Sequence, residues 1–420
     1  MFRIARLLVS RYLTLCARLA LSIHKPYIIA ITGSVGKTTT KDMIAAILRE
    51  QGRSVRGSEK SYNSSYGVPL SILGLQSGVR NPFIWMHTLL LAPLRALFGV
   101  PPYLVLEVGL EYPGDITTIV SWLKPNVGVM TRLGEHPVHA EHFSSREDLY
   151  AEKFTLLQAI VPKGIAVCNG ADKIQQKRLH LLPAQTALHQ FNTDNLSVVK
   201  SDIHYDDDGK PLGTDVVLSI NGTDETFYIP DNIGDGMVQC LITAVATTRA
   251  IDGSISTETL RRAIASRTPA PGRMRILPGK KGSVVIDDSY NASPTAMHEA
   301  LEILSSVRGT KKIAVLGVMA QLGREQQEVH ARVGEKVSAI ADHVVVVDDA
   351  PYGNREHIRY ARNHDEAIAY CMEYVSSRVV FLCKGSQVSR VEYIVSALLA
   401  DQCDPKTVLV RQEKHWQKSP

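Results

Sequence analysis

The sequence predicts an α/β protein in two units: a P-loop domain on a mostly parallel sheet, then a second, Rossmann-like α/β domain. Three observations carry this. Short β-branched runs alternate with helix-length segments along most of the chain, the pattern of strand–helix–strand units. A glycine-containing turn joins the first such run to the first long helix. Pro269-Ala-Pro-Gly272 then punctuates the chain before the alternation resumes, as an interdomain connector does. The expected divisions are a basic amphipathic helix at 1–26, a central domain at 27–268 with an apolar insertion at 81–103, and a C-terminal domain at 269–420.

Composition sets the outer limits. With 420 residues, 45% hydrophobic and 21% charged, the chain can bury two or three cores; disordered, collagen-like and coiled-coil classes are excluded. The net charge of +5 is too slight to argue for nucleic acid, which needs a concentrated basic face. Its distribution says more: Arg3, Arg6, Arg11 and Arg18 all precede Asp42, the first acidic residue. Six dispersed cysteines without a C-x-x-C pair suit a reducing cytoplasm and not a zinc ribbon. No uncharged run reaches the ~18 residues a membrane span needs. Arginines interrupt the apolar N-terminus, unlike a secretory signal.

In chain order, residues 2–23 place Leu7, Leu8, Tyr12, Leu15, Leu19 and Ile23 at helical intervals among the arginines. Such a helix can dock on its own domain, lie at a membrane interface or meet a partner. Tyr27–Thr32 is an apolar, β-branched run, as a buried parallel strand requires. Met43, Ile44, Ile47 and Leu48 share one face of the helix that follows. Further strands are expected at 104–107, 127–131 and 165–169, with a helix at 147–160. Asp206-Asp-Asp-Gly209 and Asn221-Gly222 are turn signals within 201–230, which predicts a β-hairpin excursion. A helix at about 236–250 precedes the connector, and strands at 283–286, 312–316, 343–347 and 379–383 build the second unit.

Thr32-Gly-Ser-Val-Gly-Lys-Thr-Thr-Thr40 lies where a phosphate-binding loop works, between strand and helix. Gly33 and Gly36 let the backbone curl so that amides point inward, with Ser34, Val35 and Thr39 in the same cradle. Lys37 is placed for the β- and γ-phosphates and the Thr38 hydroxyl for Mg²⁺. Ile31 occupies the first glycine position of the strict G-x-x-x-x-G-K-[ST] pattern, so the loop is a shortened G-x-x-G-K-T.

This loop resembles the ATP loop of the Mur ligases, the amide-forming enzymes of cell-wall precursor synthesis. Further stretches resemble family segments in the same order, over roughly residues 27–400: Ser61-Tyr-Asn-Ser-Ser-Tyr-Gly-Val-Pro-Leu70, Leu106-Glu-Val-Gly109 with Pro113-Gly-Asp-Ile116, Gly272-Arg273, Asp287-Asp-Ser-Tyr-Asn-Ala-Ser-Pro294, and Lys384-Gly-Ser386. Within the family they match the MurF type, which joins D-alanyl-D-alanine to UDP-N-acetylmuramoyl-tripeptide.

The resemblance implies an ATP-dependent amide ligase that activates a carboxylate as an acyl phosphate. ATP and Mg²⁺ would be its cofactors, a muramyl peptide and the dipeptide D-Ala-D-Ala its substrates. It also implies roles. Glu107 would join Thr38 on one Mg²⁺. His139 would ligate a second, by matching His139-Ala-Glu-His-Phe143 to the family's H-L-E-x-F; His136 is the alternative. Lys153 falls on the family lysine that becomes carbamylated and reaches the same metal. Lys37, Lys153 and His139 form the expected catalytic set. Arg273, Asp288 and Asn291 would contact ATP from the second domain, so that closure assembles the site. Lys384-Gly-Ser386 would meet the incoming amine. Three histidines within 136–142 leave a zinc cluster as another reading of that stretch.

The chain also departs from the family. Only 26 residues precede Tyr27, where the MurF type carries a domain that grips the UDP-sugar, so UDP recognition is left open. Residues 81–103 are an insertion that either faces lipid or a partner together with the first helix, or is buried against it. Arg132 stands for an asparagine, and Cys240 for the asparagine expected near adenine. Leu316-Gly-Val-Met-Ala-Gln-Leu-Gly323 lacks both acids of the family stretch. The expectation is an active ligase with altered substrate recognition, in the cytoplasm, with peripheral contact at the inner face of the membrane through 1–26 and 81–103. A same-mechanism ligase on a lipid-linked or amino-acid-polymer substrate, and a nucleotide-binding membrane scaffold with decayed catalysis, are the alternatives.

Overall fold

The computed structural model describes residues 2–58, 62–78, 81–134, 139–413 and 416; His136 lies outside them. The first unit runs α1 (Phe2–His24), β1 (Tyr27–Thr32), α2 (Lys37–Glu50), β2 (Val55–Gly57), α3 (Gly67–Leu73), α4 (Pro82–Phe98), β3 (Tyr103–Glu107), α5 (Asp115–Val120), β4 (Val127–Met130), α6 (Arg146–Gln158), β5 (Ile165–Asn169), α7 (Lys173–Gln176) and β6 (Ala187–Phe191). Its strands form a parallel sheet in the order β2-β3-β1-β4-β5-β6. Ile28 and Ala30 of β1 enter one core and Ile29 and Ile31 the other. Burial on both faces is why the strand reads as an unbroken apolar run.

β1 lies between β3 and β4, so its carboxyl end is a topological switch point, where open α/β sheets take their ligands. Ile31 pairs with Glu107 and Thr32 with Met130. That register sets Glu107 and Thr131 on either side of the loop leaving β1.

Next come β7 (Leu196–Tyr205), β8 (Pro211–Ile220) and β9 (Thr223–Pro230), an antiparallel sheet with one strand more than the expected hairpin. The tight turn is Asn221-Gly222, with φ of 52° and 81°, as a two-residue hairpin loop of this twist demands. α8 (Asp235–Ile251) and α9 (Thr257–Ala265) pack beside α2 over the parallel sheet.

The second unit runs β10 (Arg275–Pro278), β11 (Val284–Asp288), α10 (Pro294–Ser306), β12 (Lys311–Leu316), α11 (Gln326–Ser338), β13 (His343–Val347), β14 (Ile358–Ala361), α12 (His364–Met372), β15 (Val379–Lys384), α13 (Glu392–Leu398) and α14 (Pro405–Val408). The sheet order is β10-β11-β15-β12-β13-β14, parallel except for β10.

The first helix and the insertion pack together. Tyr12 Oη donates to Leu89 O at 3.0 Å, and His24 Nε2 lies 3.0 Å from Ala96 O. Yet among the described side chains only a narrow stripe of each is buried: Leu13, Cys16, Ala17 and Ala20 on α1, Thr88, Ala92 and Ala96 on α4. All six cysteines are free thiols.

Candidate active site

The backbone leaves β1 through Gly33 (φ 147°) and Gly36 (φ 86°) into α2. Both positions require glycine. A Cβ at Gly33 would lie 2.0 Å from Thr131 Oγ1, and one at Gly36 would lie 2.9 Å from Cys240 Sγ. Ser34 N donates to Arg132 O at 2.9 Å and Thr131 Oγ1 donates to Val35 O at 2.7 Å, fastening the loop to the end of β4. α2 opens on Gly36 with no side-chain cap, which leaves the amides of its first turn, including Thr39, to an anion.

At the loop's mouth Thr38 Oγ1 donates to Glu107 Oε2 at 2.7 Å, and Asn63 Nδ2 to Glu107 Oε1 at 2.8 Å. Burial pushes this carboxyl up, but Lys37, Arg273 and the two donors outweigh it and hold it below the usual value. It is therefore an anion. Lys37 Nζ folds back onto Gly33 O at 3.0 Å and Ser34 O at 3.4 Å. Burial lowers its pKa, with Glu107 opposing.

Lys153, carried by α6, donates to the same Gly33 carbonyl at 2.9 Å. Burial, then the neighbouring Lys37 charge, drives its pKa well below the usual lysine value. The neutral amine so favoured is the form that reacts with carbon dioxide. His139 feels both lysines. Burial first, then Lys153, Lys37 and His142, against Asp115, lower its pKa to about 4, so the ring is neutral at pH 7. Its Nδ1 is a buried nitrogen with no hydrogen-bond partner among the described residues. Its ring lies 6.4 Å from His142, which stacks at 4.6 Å on Tyr112. Among the described residues no group of three or more His, Cys, Asp or Glu could hold a metal; the zinc reading of 136–142 includes His136, which lies outside them.

From the second domain, Arg273 Nη2 donates to Thr38 Oγ1 at 3.0 Å, its guanidinium 4.0 Å over the Tyr290 ring. Arg132 ion-pairs with Glu299 of α10, a second clasp between the domains. Asp288 and Asn291 are engaged elsewhere. Asp288 Oδ1 accepts from Met274 N at 3.1 Å, and Oδ2 is paired with Lys384 Nζ. Asn291 Oδ1 accepts from Ala292 N at 2.9 Å, and its carbonyl accepts from Lys384 at 3.1 Å. Lys384 is buried and braces the turn from beneath. Strand register explains it: Asp288 and Lys384 are direct neighbours on β11 and β15.

A cleft of about 1050 Å³ opens between the domains, lined by Asn169, Asn192, Gln239, His298 and Glu299 among others. Asn192 Nδ2 bridges Gln239 Oε1 at 3.0 Å and Asn169 Oδ1 at 3.1 Å. Sequence reasoning missed this amide row. Cys240, which takes the place of the asparagine expected near adenine, lies with its Sγ 3.5 Å from Gly36 O, and its neighbour Gln239 lines the cleft. Asn169 and Asn192 end β5 and follow β6, and no local pattern links them.

Comparison with known proteins gives the family. The Mur ligase middle domain profile matches residues 31–86 and 87–240, and the Mur ligase glutamate ligase domain profile matches 272–387. The UDP-N-acetylmuramoyl-tripeptide–D-alanyl-D-alanine ligase of Bacillus subtilis is 27% identical over 312 residues, 74% of this chain and 60% of that protein. The Escherichia coli protein of the same name is 24% identical over 390 residues, 88% of this chain and 76% of its own. The MurF ligase of Thermotoga maritima, solved with ADP, superposes with a TM-score of 0.76 at 24% identity, covering 93% of this chain and 83% of that one.

Proposed function

The chain belongs to the Mur ligase family, and from that premise we propose that it is an ATP-dependent amide ligase adding D-alanyl-D-alanine to a muramyl-peptide cell-wall precursor. The observation that carries the reading is the hydrogen-bonded Thr38–Glu107 pair at the mouth of a glycine loop, flanked by the half-buried Lys37 and the buried Lys153, which share the Gly33 carbonyl. The names of the relatives supply the substrates.

The loop amides and Lys37 would hold the ATP phosphates. Thr38 Oγ1 and Glu107 offer hard oxygen donors, and the orphaned, neutral His139 Nδ1 a further ligand; this set fits Mg²⁺. Bound there, Mg²⁺ would neutralise phosphate oxygens and polarise the transferring phosphoryl group. Carbamylation of Lys153 would convert its buried neutral amine into an anionic oxygen donor for the metal. The acceptor carboxylate attacks the γ-phosphorus and ADP leaves; the dipeptide amine then attacks the acyl carbon and phosphate leaves. Lys37 and Arg273 offset the charge that gathers on the transferring oxygens. Asn192 and Gln239 would hold the base in the cleft. We place the protein in the cytoplasm, with 1–26 and 81–103 turned to the inner face of the membrane.

The test is ATP consumption by the purified chain with UDP-muramyl-tripeptide and D-Ala-D-Ala, each omitted in turn. Phosphate release requiring both, with the amide seen by mass spectrometry, is the expected result. ATP hydrolysis without amide formation from any such pair would overturn the reading.

A further inference from the structure

The amphipathy of α1 and α4 is reversed. A docked surface helix normally buries its large apolar side chains and exposes polar ones. Here the buried stripes are made mostly of small residues, while Leu15, Phe83, Leu90 and Phe98 point outward at 62%, 75%, 69% and 83% exposure. Leu8 lies two turns before Leu15 and Leu94 one turn after Leu90, on the same helix faces, and both are exposed. Exposed apolar faces on two packed helices mark an interaction site.

Charge identifies the occupant. α1 and α4 contain no Asp or Glu, while Arg11, Arg18 and Arg95 stand exposed among the apolar side chains, with Lys25 just beyond α1. A second copy of this chain would bring those cations face to face. An anionic surface would neutralise them.

We propose that the α1–α4 face docks flat on an anionic lipid bilayer, apolar side chains in the acyl boundary and arginines among the headgroups. This sharpens the membrane contact named above to a lipid class and an orientation, and it is independent of the ligase chemistry. Leu7–His24 is long and apolar enough to cross a membrane. But Leu13, Ala17 and Ala20 belong to the domain core, so the helix is held along the protein surface. α4 has 17 residues and an internal Pro93; its length of about 25 Å falls short of the roughly 30 Å hydrocarbon core. The inner side of α1 backs onto the active site, since Ser10 Oγ donates to Ser65 O at 3.3 Å, two residues from the Asn63 that holds Glu107.

The test is flotation of the full chain with phosphatidylcholine vesicles, with and without phosphatidylglycerol. Binding is expected to be about tenfold or more stronger to the anionic vesicles and to weaken with salt. Leu15→Glu and Leu90→Glu should each cut it about tenfold, and Arg11→Glu with Arg18→Glu should remove the lipid preference. All should leave the melting temperature unchanged, because these side chains are exposed. Three results would overturn the proposal: no binding to either vesicle; resistance to alkaline carbonate extraction, which means a spanning helix; or a dimer in light scattering that Leu90→Glu dissociates without any vesicle binding.

Discussion

Arg273 and Thr38 stand 235 residues apart and in different domains, yet Nη2 of the arginine donates to the threonine hydroxyl at 3.0 Å. The same hydroxyl donates to Glu107. The second domain thereby contacts the same hydroxyl that pairs with Glu107.

Arg273→Ala should lower kcat/KM for ATP by about 100-fold or more, the scale for losing a charged donor to the transition state. Arg273→Lys should recover little, because an ammonium loses the planar stack on Tyr290. Steady-state kinetics of the two variants decide this, and wild-type rates in Arg273→Lys would show that a point charge suffices.

Lys153 is expected to carry a carbamate. Carbon-13 NMR in labelled bicarbonate should show a carbamate signal that Lys153→Ala removes. Turnover should fall at least about 100-fold in that variant. Lys153→Arg should fare no better, since a guanidinium stays charged and cannot react with carbon dioxide.

Arg411 links the C-terminal segment to the site. It grips Glu392 through Nε at 2.8 Å and Nη2 at 2.9 Å, and donates to the carbonyls of Ser289 at 2.6 Å and Tyr290 at 3.1 Å. Burial pushes the Glu392 carboxyl up, but Arg411 above all pulls it below the usual value. Arg411→Ala should destabilise by about 2 kcal/mol, because charged hydrogen bonds are lost while Arg390 still pairs Glu392. It should also weaken ATP use through Tyr290, non-additively with Arg273→Ala. Additive effects in that kinetic cycle would separate the two residues.

Asp287 should make stability depend on pH. Burial pushes its carboxyl up to about 6, so between about 4 and 6 the unfolded chain has lost a proton that the folded chain keeps. Stability from this group is thus greatest at low pH and declines as pH rises through that window. The melting temperature of wild type minus that of Asp287→Asn should fall from pH 4 to 6 and flatten above 7. A constant difference would mean that Asp287 ionises normally.

In the two larger sheets the strands that sequence reasoning found are interior strands, whose two buried faces impose continuous apolar runs. The four missed there, β2, β6, β10 and β14, are the four edges of those sheets. Each edge strand is partly exposed, so its composition carries no such signal. The same contrast holds at the site. Lys37 and Thr38 are legible because loop and helix are contiguous. Asn169, Asn192 and Arg411 are not, because each acts beside residues far away in the chain.

By itself, the amino-acid sequence determined the family, the glycine loop between strand and helix, and the interior strands of the two larger sheets, because these depend on neighbours in the chain. Only the tertiary structure decided which groups Asp288, Lys384 and Cys240 serve, since strand register and helix packing aim those side chains. It also decided which face of α1 looks outward. The helical spacing of its leucines is the same whether that face is buried or exposed, and it was the small-residue stripe at Leu13, Ala17 and Ala20 that docked.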